Sequence, residues 1–92
     1  MRSRSVTVVN QLGMHARAAA KFVHLASGFQ SHVRVSKGSQ TMDGKSIMGI
    51  LLLAAVSGTV VTVSTDGEDE QVALDALCRF IETGFSEDTC SA

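Results

Sequence analysis

The chain has 92 residues, 45% hydrophobic and 18% charged, with no Pro, Trp or Tyr and a net charge of −1. That length suits one domain spanning residues 1–92 and leaves no room for a second. The balance of 8 basic and 9 acidic residues excludes a broad electrostatic footprint for nucleic acid, and the scarce aromatics exclude a base-stacking platform. The longest apolar run, residues 47–56, has ten residues, whereas crossing a bilayer takes about 20. The two early arginines have no apolar stretch behind them, so no signal peptide is expected. The expectation is a cytoplasmic protein without membrane insertion.

Taken in chain order, residues 5–10 alternate at Val6 and Val8, with Val9 extra, and read as a strand with one buried face. A turn follows. From Ala16 the residues ARAAAKFVHLAS favour a helix, with Ala19, Phe22, Val23 and Ala26 spaced to face a core. Gly28 is the expected C-cap, and Phe29 is placed to fold back over the last turn. Residues 32–36 alternate again, with Val33 and Val35 inward. Residues 37–39 (KGS) read as a hairpin turn before a short strand at 40–43.

Ser46 stands at an N-cap position before the apolar run IMGILLLAA, read as a short helix. Ile47, Ile50 and Leu53 are expected to face the sheet. Met48, Leu51 and Leu52 then lie partly outside. Residues 59–65 form the clearest strand, rich in β-branched residues. Asp66 or Glu68 is expected to cap a final helix. Val72 or Ala73, Leu74, Leu77, Cys78 and Ile81 would line its buried face. Gly84 stops that helix, and the tail from Phe85 is expected to be loose.

The order β-α-β-β-α-β-α, with strands apolar on one side only, implies an α+β open-faced β-sandwich. Its four-stranded antiparallel sheet would carry three helices on one face. Cys78 and Cys90 show no CxxC spacing and no nearby histidine pair. They are read as a buried thiol and a tail thiol, and no metal site is expected. His24 and His32 carry no assignable catalytic chemistry.

The stretch LGMHARAAAKFV (12–23) puts His15 and Arg17 at the start of the first helix. A helix N-terminus exposes unpaired N–H groups and about half a positive charge. It favours anions and disfavours imidazolium, so the ring there is expected to be neutral and nucleophilic. Were the ring to accept a phosphoryl group, the N–H groups of Ala16 and Arg17 could reach it, and the Arg17 guanidinium would add charge-assisted hydrogen bonds.

GMHARAAAKFV resembles the active-site segment of the HPr family, the phosphocarriers of the bacterial phosphotransferase system. The resemblance continues through DGKSIMGILLLAA (43–55), SGTVVTVSTDGEDEQ (57–71) and the last helix. It implies that His15 is phosphorylated at Nδ1 and that Arg17 supports the phosphate. It implies no cofactor and a protein that works as a monomer. Enzyme I would be the donor and sugar-specific EIIA components the acceptors. KSIMG (45–49) is similar to the segment that an HPr kinase/phosphorylase modifies, which implies a regulatory role for Ser46. The family's docking face would comprise Ala20, Lys21 and His24 with Met48, Gly49, Leu51 and Leu52, bordered by Lys45 and Ile47. Leu25 beside that face is unusually apolar for a helix flank. Ala18 stands where the family usually has proline, which loosens the helix start but leaves an extra N–H. Two alternatives stay open. One is the related carrier of the nitrogen-regulatory branch, which the ending IETGFSED resembles. The other is a Ser46-regulated signalling protein that passes no phosphate on.

Overall fold

Runs of alternating β-branched residues build the sheet, and Ala- and Leu-rich runs build its cover. In the computed structural model, described for residues 1–9 and 13–85, the strands are β1 (Arg2–Thr7), β2 (His32–Lys37), β3 (Gln40–Asp43) and β4 (Val60–Asp66). The helices are α1 (Ala16–Ser27), α2 (Ile47–Leu52) and α3 (Glu70–Glu82). The sheet order is β1-β4-β2-β3, with every neighbouring pair antiparallel. The expected order and architecture are therefore present.

Register explains the two faces. Val6 pairs with Val61, and Val35 with Val63. Together with Val33 these residues are buried against the helices. The opposite face is polar: Ser3 and Ser64 share a hydrogen bond of 3.0 Å, Ser5 and Thr62 one of 3.2 Å, and Ser36 and Thr41 one of 3.1 Å. Above the apolar face, α3 lies over β1 and β4, α2 lies beside β3, and α1 contacts both helices. Phe22, Ile50, Leu53, Leu77 and Ile81 fill the space between the layers.

Several boundaries differ from expectation. β1 starts at Arg2 and ends at Thr7, because pairing with the seven-residue β4 sets its length rather than its own valines. Arg4 at this edge donates from Nη2 to Asp75 Oδ1 at 2.8 Å, tying β1 to α3. Val8 is nonetheless buried, while Val9 is exposed. Position 10 lies outside the described residues, as do Cys90 and the rest of the tail from 86 to 92.

α2 ends at Leu52, with Leu53 as its C-cap and Ala54 beyond it in a left-handed conformation, φ +51°. Ile47 does not face the sheet; it is 45% exposed. The inward face is Gly49, Ile50 and Leu53. An added Cβ on Gly49 would lie 3.3 Å from Met42 Cβ, so α2 sits close to β3 there. That close seat rotates Ile47 outward.

α3 is preceded by Asp69, not Asp66 or Glu68. Its carboxylate accepts from the N–H groups of Gln30 and Ser31, both at 2.9 Å, and from the Ser31 hydroxyl. It thus fastens the loop after α1 instead of capping the helix. Glu70 accepts from the Gly67 N–H at 3.2 Å. Ala73 occupies the buried face, and Val72 is exposed. Phe85 is the clearest departure from the expected loose tail: it is 0% exposed. Its ring meets Phe80 edge-on at 5.6 Å, and its N–H donates to the Phe80 carbonyl. Gly84 and Phe85, both at positive φ, make the reversal that returns the ring to the core.

Candidate functional site at the start of the first helix

The approach to α1 is set by backbone. Gly13 has φ +67°, a conformation that an L side chain enters only at a cost. The next residue, Met14, is buried, and its N–H donates to the Ala55 carbonyl at 2.9 Å. His15 follows as the N-cap with extended backbone (φ −79°, ψ 179°). The Ala19 N–H donates to the His15 carbonyl at 2.8 Å, opening the helical ladder. The N–H groups of Ala16, Arg17 and Ala18 lie ahead of that first rung, and the first turn holds no acidic residue.

The imidazole uses one of these groups. His15 Nδ1 accepts from the Arg17 N–H at 3.3 Å. A ring that accepts at Nδ1 in its neutral form holds its proton on Nε2. His15 is half-buried, and Ala16 and Arg17 are exposed, so the ring is held but not sealed. The unpaired N–H groups of the first turn give the start of α1 a partial positive charge. Ala18 is 0% exposed, a packed position rather than part of the open surface.

α1 and α2 pack together, and the residues of the expected docking face differ in exposure. Ala20 and His24 are exposed, and Lys21 and Leu51 are half-buried. Met48 is 68% exposed and Leu52 61%. With Ile47 they form an apolar surface that the core does not use. Gly49 is buried, which removes it from that surface. Lys45 is tied down: its Nζ donates to the Phe29 carbonyl at 2.8 Å. Leu25 packs partly against the core and borders a groove with Ala76, Phe80 and Thr83. It lies at the seam between α1 and α3.

Ser46 caps α2 as expected, its Oγ accepting from the Gly49 N–H at 3.1 Å. Its own N–H donates to the Asp43 carbonyl at 3.1 Å. The sequence reading missed the part played by Ala55. Gly13 before the histidine was the available signal, but its partner was not visible without the fold. Among the described residues no group of three or more His, Cys, Asp or Glu gathers as a metal site. No helix among them is long and apolar enough to cross a membrane. Burial pushes the Cys78 thiol above its ordinary range, in keeping with an inert core thiol.

Comparison with known proteins bears on this site. Residues 2–83 match the family described as PTS HPr component phosphorylation site. The phosphocarrier protein HPr of Cupriavidus necator is 49% identical over 87 residues, covering 95% of this chain and 98% of that protein. The crystal structure of HPr-C-His from Thermoanaerobacter tengcongensis superposes with a TM-score of 0.90 at 42% identity, covering 95% of this chain and 98% of that one. The phosphocarrier protein NPr of Shewanella violacea is more distant, 38% identical over 84 residues, or 91% of this chain and 92% of that protein. Fold and whole-length similarity together define a phosphocarrier of the phosphotransferase system. The chain belongs to the HPr family within that class.

Proposed function

We propose that His15 carries the phosphoryl group. Phospho-enzyme I would be the donor and EIIA-type components the acceptors. The observation that carries this reading is the His15 ring itself, half-buried at the N-cap of α1 with Nδ1 turned to the Arg17 N–H. In the step, the Nδ1 lone pair forms the N–P bond as the bond from phosphorus to the donor breaks. The departing electron pair stays with the donor, and the Nε2 proton stays on the ring. The Arg17 N–H, released from the lone pair, then faces a phosphoryl oxygen. The Ala16 N–H and the Arg17 guanidinium add to that cradle. The phosphate remains at an open surface, which suits a group that must move on. A single copy carries the whole cradle, which supports a monomeric carrier.

Docking falls to Ala20, Lys21 and His24 with Ile47, Met48, Leu51 and Leu52. Methionine adapts to several partners in turn. The greater similarity to HPr than to NPr favours the sugar branch over the nitrogen branch.

A phosphate on Ser46 would add about −1.5 to −2 charge. Set against a single negative charge on a partner about 8 Å away, −2 is worth about 1 kcal/mol in water and about 4 at an effective dielectric of 20. Such a brake would act on docking without moving the backbone, and an HPr kinase/phosphorylase would apply it.

Incubation with phosphoenolpyruvate and enzyme I tests the central reading. Intact mass should show one acid-labile phosphate that is absent from His15→Ala. A stable adduct, or one retained in that variant, refutes it.

A further inference from the structure

The segment leaving α2 meets the segment entering α1 directly before His15. Met14 donates its N–H to the Ala55 carbonyl at 2.9 Å, and both residues are almost fully buried. The contact is close because residue 13 has no side chain. A Cβ on Gly13 would lie 2.5 Å from the Ala55 oxygen and 2.8 Å from Val56 Cα, both backbone atoms. On the other side of the junction, Ala54 is held at φ +51° although it is not glycine. Its side chain is exposed, so core packing does not explain the conformation. The left-handed turn at Ala54 is what carries the chain from the end of α2 to the point where the next carbonyl meets Met14.

We infer that this junction is the positioning device for the histidine: the Ala55 carbonyl, delivered by the turn at Ala54 and admitted by Gly13, fixes the backbone of Met14 and so the place of the His15 ring beside the Arg17 N–H. The inference rests on His15 being the phosphoryl acceptor. Strained backbone beside a reacting group persists where the surroundings over-determine it. Placement matters because a displacement of about 1 Å at a reacting atom costs roughly 100-fold in rate. Ala54, Ala55 and Gly13 touch no phosphate; they act through Met14 and His15.

Two variants disturb the junction from opposite sides. Gly13→Ala pushes a methyl group against the Ala55 carbonyl. Ala54→Val disfavours the left-handed turn from an exposed position, because a β-branched residue is an outlier there. Each is compared with the unaltered protein using saturating phospho-enzyme I and, separately, the small donor phosphoramidate. The ¹⁵N signals of His15 Nδ1 and the Arg17 amide are recorded alongside. Folded variants should be phosphorylated at least about tenfold more slowly by both donors. Half-saturation by enzyme I should move less than about threefold, and the Nδ1 and Arg17 signals should shift. Loss of stability alone would leave those signals in place in the folded fraction.

Folded variants with unaltered rates, or with unshifted signals, overturn the inference. Should both variants fail to fold, amide exchange in the unaltered protein decides. A Met14 N–H protected far more than that of Ala16 supports the junction, and equal exchange refutes it. An unaltered protein that takes no phosphate from either donor refutes the phosphocarrier reading instead, and the Met14 exchange still judges the junction.

Discussion

The backbone N–H of Arg17 points at Nδ1 of His15, 3.3 Å away. This contact belongs to the main chain, so it survives replacement of the Arg17 side chain. Arg17 is exposed, and in the proposed function its guanidinium acts once a phosphoryl group is there to meet. Arg17→Gln should therefore leave fold and stability unchanged and keep phosphorylation at His15. Loss of a charge-assisted hydrogen bond is worth about 1.5–3 kcal/mol, roughly ten- to hundredfold in transfer rate. Rapid-quench measurement of transfer from phospho-enzyme I checks it.

Ser46 separates two effects of one position. Its Oγ accepts from the Gly49 N–H, so Ser46→Ala should lower stability by about 1 kcal/mol, measured by urea unfolding. Ser46→Asp keeps a cap acceptor and adds a negative charge. It should remain about as stable as the unaltered protein while slowing acceptance from enzyme I. An aspartate variant that accepts phosphate as fast as the parent would argue against an electrostatic brake.

Asp69 links stability to pH. The Ser31 hydroxyl, followed by the Gln30 N–H, holds its carboxyl below the usual carboxylate range. A carboxylate depressed on folding adds stability that is fully present above its unfolded value. That stability is lost as pH falls through the lower, folded value. The protein should thus lose stability below about pH 4. Asp69→Asn should be less stable at pH 7 and show a shallower acid decline, read from thermal melts across pH 2–7.

Phe85 closes the core from beyond the last helix. It is fully buried against Phe80, so Phe85→Ala should destabilise by about 3–5 kcal/mol. A chain ending at Gly84 should be weakened to a similar degree. Denaturant titration checks both. A loss under about 1 kcal/mol would mean the ring contributes little more than an exposed side chain.

Much of this molecule was legible in the residues. Alternating valines at 6 and 8 and at 33 and 35 marked the buried side of β1 and β2, because strand side chains repeat every two positions. Ala19, Phe22 and Ala26 did the same for α1 through the helical period, and Ser46 announced its cap. Gly28 also ends α1, though with ordinary right-handed backbone. The histidine at the helix entrance was visible because both its chemistry and its signal are local. The sequence missed contacts whose two halves lie far apart in the chain. Nothing near Asp69 shows that its carboxylate will clasp residues 30 and 31, and nothing near Phe85 shows that it will turn back. The outward turn of Ile47 follows from how closely Gly49 approaches Met42. Periodicity supplied the elements, because those depend on neighbours a few positions away, and the resemblance of GMHARAAAKFV to the HPr family singled out His15. Tertiary structure supplied the Ala55 carbonyl behind Met14, because two distant backbone segments meet only when the whole sheet has closed beneath its helices.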